Sequence, residues 1–303
     1  MSLQFLVDGL VAGAVIGLGA VGVTLTYAIL RFANFAHGEF VTAGAYLTLT
    51  LAGLIGGALA GTAVPLAPLT VTGALLVALP FGLALTGLLA LGLDAVLFRP
   101  LRRKGETIVA VMASFGASLA LRSVIEATFS SRPAYFTRAL QIARPLGAGL
   151  RATPNQIAAI AAAAAVAVAV HLLLTRTRTG RAMRAVSENP ALAAVGGIDV
   201  GAVIRLTWLL GGALAGLAGV VVGLLVQIRP FMGFDLLLPL FAAAILGGIG
   251  SVPGAMLGGL VVGLSEAAAV AFVGAPWRGA VAFAILIAVL LVRPAGLFGT
   301  RVR

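Results

Sequence analysis

No cysteine occurs in the 303 residues, which removes disulfides, thiolate chemistry and cysteine-based metal sites from consideration. Histidine is nearly as scarce: His37 and His171 are too few for a histidine-rich zinc site, so no metal centre is expected. Charge is sparse too. Only 10% of residues are Asp, Glu, Lys or Arg and 61% are hydrophobic, which excludes an ordinary soluble domain. Acidic residues number 9 against 20 basic, leaving a net charge of +11. Such an excess can serve nucleic-acid binding, but here the basic residues punctuate apolar runs instead of forming one face, so nucleic acid is not an expected partner. The signatures of catalysis are missing as well: no glycine-rich phosphate loop ending in Lys-Ser or Lys-Thr, no Gly-x-Ser-x-Gly, no His-Glu-x-x-His. No catalytic residue is assigned, and the chain is not expected to bind ATP itself.

What is abundant is apolar sequence, at a mean hydropathy of +1.15. Residues 157–174 and 280–292 are nearly free of charge and approach the span of about 20 residues that crosses a bilayer. The first eight residues lack a basic residue and no clear cleavage site follows, so the first apolar segment is expected to stay as a span. The 40 glycines follow no triplet period and lie inside apolar segments, as in Gly9, Gly13 and Gly17, which favours close packing of helices. The expectation is an all-α, multi-pass integral membrane protein with about eight transmembrane helices and one transmembrane domain over residues 1–303. Residues 64–98, interrupted by Pro80, read as one long helix or as two short ones, which leaves the side of the N-terminus open. Residues 236–267 are too short for two full spans and a loop. A broken or re-entrant helix near 236–253 is therefore expected, because irregular backbone survives at membrane depth only where protein or a water-filled cavity satisfies it.

The polar interlude at 175–205, TRTRTGRAMRAVSENPALAAVGGIDVGAVIR, interrupts this pattern between two apolar runs. Arg181, Arg184 and Glu188 fall at i, i+3 and i+7 and share a helix face. Asn189 is a good N-cap and Pro190 suits the first helical position. Gly196 and Gly197 then stop the second piece, one of them in the left-handed conformation. A short capped helix between two spans has the shape of a docking surface; the plainer reading is a solvated loop that anchors topology. A second polar cluster, RFANFAHGEF at 31–40, brings Asn34, His37 and Glu39 close to an apolar run. These groups either line a passage at a helix break or occupy a wet interfacial turn, with Glu39 near a helix start. Arg122 and Glu126, at i and i+4, can pair or reach the interface. Glu266 lies inside an apolar helix and needs a partner. With residues 99–104, the 175–205 loop and the C-terminal tail inside, twelve basic residues face the cytoplasm. Six fall outside, four of them in the 129–153 loop, so the bias has the cytoplasmic sign.

Read together, NFAHGEF (34–40), RPLR (99–102), TGRAMRAVSENPALAAVGGID (179–199), AAILGGIGSVPGAMLGGLVVGLSEA (243–267) and RPAGLFG (293–299) resemble the permease family of branched-chain amino acid ABC importers, in its shorter, H-type form. The similarity runs nearly the full length. It implies a cell inner membrane complex with a second, M-type permease subunit, two cytoplasmic ATPases that hold ATP and magnesium, and an extracytoplasmic substrate-binding protein, all in contact with membrane lipid. It also implies that the loop before Ile198 contacts the ATPase. The coupling candidates are Arg181, Arg184, Glu188, Asn189, Pro190, Ala193, Ala194, Gly196, Gly197 and Ile198, with Leu192 standing where the ABC importer loop has Glu. Candidates for the translocation path are Asn34, His37, Glu39, Gly247, Gly248 and Gly250. Related permeases for urea or short amides, and an ion-coupled secondary transporter using Glu39 or Glu266, are alternative readings of the same residues.

Overall fold

The computed structural model describes residues 3–59, 61–105, 107–147, 149–293 and 296–298. The helices, in chain order, are α1 (Gln4–Leu30), α2 (His37–Ala58), α3 (Gly73–Leu93), α4 (Arg99–Lys104), α5 (Thr107–Phe129), α6 (Pro154–Arg176), α7 (Arg178–Glu188), α8 (Pro190–Val195), α9 (Val200–Leu225), α10 (Met232–Gly247), α11 (Val252–Phe272) and α12 (Arg278–Val292). A small antiparallel hairpin, β1 (Arg144–Gly147) with β2 (Leu150–Ala152), lies in the loop before α6. Among the described residues eight helical stretches are long and apolar enough to cross a membrane, and α10 is a shorter ninth.

Side-chain caps set several of the boundaries. Thr153 and Gln156 form a reciprocal capping box with Pro154 at the head of α6. Thr72 accepts from the Leu75 N–H and starts α3, so residues 64–98 cross once. The apolar stretch before Thr72 is a loop closed by a Pro65–Thr72 bridge, and Pro80 lies within α3 without ending it. A π-helical turn, Asp94–Phe98, then carries α3 into α4, where Arg102 pairs with Asp94.

Glycines set the core. Gly9, Gly13 and Gly17 of α1 face Leu264, Leu260 and Met256 of α11, and the reversed order shows the helices running antiparallel. A methyl group at Gly13 would come within 2.7 Å of the Leu260 Cα, and Gly259 and Gly263 approach the α1 backbone from the other side. The same device joins α2 to α9 through Gly44, Gly216 and Gly219. Phe98, in the π-helical turn, stacks on Trp208 of α9 and meets Phe32 at a tilt, with centroid separations of 5.1 Å in both pairs. By contrast α5, α6 and α12 turn long apolar faces outward.

Two contacts fix the sides. Gln4 at the start of α1 exchanges side-chain hydrogen bonds with the backbone of Arg151 in β2. Arg31, just past its end, donates to the carbonyls of Ser187 and Glu188 in α7. Residues of α4 and of the start of α9 line one shared cleft, so the Arg99–Lys104 turn and the 175–205 loop lie together. The basic bias makes that side cytoplasmic and places the N-terminus outside. Arg301 and Arg303, and Pro294, Ala295 and Gly299 of the C-terminal motif, lie outside the described residues.

Candidate functional site

The 175–205 loop folds as a compact helical corner. Thr177 caps α7 by accepting from the Gly180 N–H, and Gly180 sits so close to the carbonyls of Leu173 and Leu174 that any side chain there would overlap them. Arg184 reaches back to the Leu174 carbonyl. Met183 and Val186 are buried against the bundle, while Arg181, Arg184 and Glu188 are exposed along the opposite face. The chain then turns at Asn189, whose side chain accepts from the Leu192 N–H with Pro190 in the first turn of α8. Gly197 takes φ +83°, the left-handed stop, and Ile198 donates to the Ala193 carbonyl. Asp199 caps α9.

Within α8 the structure sorts the small residues. Ala193 is buried and faces the bundle, whereas Ala194 is exposed. Two residues outside the coupling candidates carry the outward apolar surface: Leu192 is 69% exposed and Val195 is 87% exposed. They lie three apart, on one side of a helix whose other residues are Pro190 and three alanines, and that spacing was the available signal. Arg31 is the other omission. Its two bonds clasp the C-terminal end of α7, where a cation also suits the helix dipole.

The second polar cluster lies at a break between α1 and α2. The αL conformation of Arg31 (φ 56°) ends α1, and five non-helical residues lead to His37. Asn34, His37 and Glu39 are all buried, so the chain here is inside the bundle and is no wet surface turn. Asn34 accepts from the Ala36 N–H. The His37 ring lies against Gly22 with neither nitrogen hydrogen-bonded among the described residues. Glu39, in the first turn of α2, takes three hydrogen bonds on Oε1: Ser118 at 3.2 Å, and Arg122 at 3.1 and 2.7 Å. The expected Arg122–Glu126 pairing gives way to this one, because burial leaves the guanidinium needing a full countercharge that a fixed carboxylate at the α2 N-terminus supplies. Phe231 and Phe234 cover the Arg122 guanidinium at 5.1 and 4.2 Å.

Those phenylalanines belong to the second break. α10 has 16 residues, about 24 Å at 1.5 Å per residue, shorter than the hydrocarbon core of about 30 Å. At its N-terminus Met232 and Gly233 are buried, with the Gly233 N–H bonded to Thr42 and Gly233 packed on Gly38, while Phe231, Phe234 and Asp235 are exposed. Two helix N-termini therefore meet inside the bundle beside Glu39 and Arg122. At the other end, Gly248 and Gly250 adopt φ +95° and +91° in the turn to α11, and Gly247 packs on Gly254. Leu297 and Phe298 donate to the Leu246 and Gly247 carbonyls, which satisfies the end of α10. Asn34, His37 and Glu39 thus lie at the break before α2, and Gly247, Gly248 and Gly250 at the turn that follows α10, at the opposite end from Phe231. A cavity of about 530 Å³ near the outer end of α10 is lined by other residues.

A polytopic helical bundle with buried breaks and a capped cytoplasmic corner is the architecture of a membrane permease. The family model for the branched-chain amino acid transport system permease component matches residues 5–290, and the chain belongs to that family. It is accordingly a multi-pass membrane protein of the cell inner membrane and a transport subunit. Among relatives, the high-affinity branched-chain amino acid transport system permease protein LivH of Escherichia coli is 32% identical over 302 residues, covering 98% of this chain and 95% of that one. BraD, the permease protein of the same description from Pseudomonas aeruginosa, is 34% identical with the same coverage. In fold the chain is similar to the solved structure of PsaBC from Streptococcus pneumoniae in complex with Fab. The TM-score there is 0.50 at 14% identity, over 97% of this chain and 93% of that one.

Proposed function

We propose that this chain is the translocating subunit of an ATP-driven importer for branched-chain amino acids, and that α7–α8 is the element through which an ATPase moves it. The observation that carries the reading is the corner itself. Exposed Leu192 and Val195 stand on a helix of six residues, too short to be stable alone. It is held by caps and joined directly to α6 and α9, so a push on it tilts two spans. The substrate follows from what the relatives are named for. A second permease subunit of the longer M type, two cytoplasmic ATPases carrying ATP and magnesium, and an extracytoplasmic binding protein complete the machine; this chain holds no cofactor and hydrolyses nothing. Both carboxylates that an ion-coupled carrier would use are tied to arginines, Glu39 to Arg122 and Glu266 to Arg278, which favours the ATP-driven reading. The test is uptake of labelled leucine by vesicles holding the assembled complex and leucine-loaded binding protein. Uptake should require ATP on the ATPase side and persist when proton and sodium gradients are collapsed. Uptake that follows an ion gradient without ATP would overturn the assignment, and transport of urea or acetamide in place of leucine would overturn the substrate.

A further inference from the structure

The cavity of about 530 Å³ opens between α1, the end of α9, α10, α11 and the start of α12, on the side of the N-terminus. Val222, Leu225 and Leu236 give it apolar walls. Four charged residues also line it, two of each sign: Asp235 and Glu266, Arg229 and Arg278. Arg229 and Asp235 approach to 3.5 Å, and both are about half exposed. Glu266 differs from the other three. It is only 2% exposed, six residues before the end of α11, or about 9 Å along the helix axis. Its Oε2 accepts from the Arg278 Nε at 2.7 Å, while its Oε1, equally buried, has no hydrogen-bond partner among the described residues. A buried carboxylate oxygen left without a donor is costly, so a site that keeps one is short of an N–H group. Arg278 has the opposite surplus. Its side chain is 54% exposed, and only its Nε is engaged among the described residues.

We infer that this cavity receives the substrate on the outer face, as an α-amino acid zwitterion with an apolar side chain. The ammonium supplies the donor that Glu266 Oε1 lacks. The carboxylate takes the unused fork of Arg278 beside it, and the aliphatic side chain lies on Val222, Leu225 and Leu236. The adjacent pair of opposite charges matches the adjacent charges of the ligand, and no net charge is transferred into the bundle. Urea and short amides carry neither ionic group and gain nothing from this pair. The inference rests on the importer reading above and adds to it the place and chemistry of the first contact.

The absence of native cysteine makes the test direct. In the assembled complex, Leu225→Cys is exposed to a membrane-impermeant thiol reagent from the outer side, and label on this chain is followed with and without saturating L-leucine. Labelling that L-leucine slows, and that urea leaves unchanged, is the expected result. Labelling indifferent to L-leucine, as when the cavity holds only a lipid chain or solvent, would overturn the inference. In parallel, Glu266→Gln should lower leucine uptake about tenfold, the loss of one charge-assisted hydrogen bond, with the amount of complex in the vesicles unchanged. Full uptake by Glu266→Gln would also overturn it. Wild-type vesicles keep the two levels apart: if they import leucine while both results fail, only this site is wrong, whereas wild-type vesicles that import no leucine defeat the importer reading itself.

Discussion

Along the α1–α11 seam the backbone is the contact surface, whereas at the α7–α8 corner side chains and caps hold the chain in place. At the seam, Gly13 and Gly17 meet Gly259 and Gly263 with no room for a methyl group, so the two helices have one relative position. At the corner, a few hydrogen bonds from Arg31, Arg184, Thr177 and Asn189 fix two short helices whose outer faces stay open. The difference separates a frame from a handle. A machine driven from one side needs spans that do not yield and an attachment that presents surface without being part of the frame.

The same contrast exists between glycines. Gly219 of α9 packs on the Val41 carbonyl oxygen, while a methyl group added at Gly116 of α5 would meet only open space. A glycine in an apolar helix thus marks a close approach in one place and an open face in another, and only the neighbour decides which.

The comparison breaks first at the buried ion pair that locks α5 to the frame. Arg122→Met would leave the Glu39 carboxylate buried without its countercharge and should cost about 3–5 kcal/mol, read as a large drop in thermal unfolding temperature in detergent. The double change Glu39→Gln with Arg122→Met should recover most of it; a single variant as stable as the wild type would show that the pair is not part of the frame. Next comes the α2–α9 contact, which is packed in the same way as the seam. Gly219→Ala drives a methyl into the Val41 carbonyl and should cost about 1–3 kcal/mol. Gly116→Ala meets open space within a helix and should instead be neutral or stabilising by up to about 1 kcal/mol. Equal effects at the two glycines would erase the distinction between packed and open positions.

Much of this architecture is legible in the sequence, and what is not has identifiable causes. The corner was readable because its determinants are local: Asn189, Pro190 and the two glycines act within one turn of themselves. The glycine stripe of α1 announced a close neighbour but could not name α11, which lies more than two hundred residues away. Arg122 had a good local partner in Glu126, and nothing in the chain order favours Glu39, 83 positions back. Hydropathy also misled at 64–72, where an apolar loop reads as the start of a span until the Thr72 cap is seen. The orientation of α8 escaped for a different reason. The spacing of Leu192 and Val195 marks a shared side of the helix, but whether that side is buried or exposed follows from how α7 docks.

The proposed coupling to ATP rests on α8 being the surface an ATPase grips. Leu192→Asp and Val195→Asp change exposed side chains, so each should alter stability by less than about 0.5 kcal/mol and leave the permease in the membrane at normal levels. The decisive measurement is the amount of ATPase that co-purifies with the double variant, alongside leucine-stimulated ATP hydrolysis. The expected outcome is a folded permease that has lost its ATPase and its transport. A double variant that retains wild-type ATPase and full uptake would contradict this role for α8.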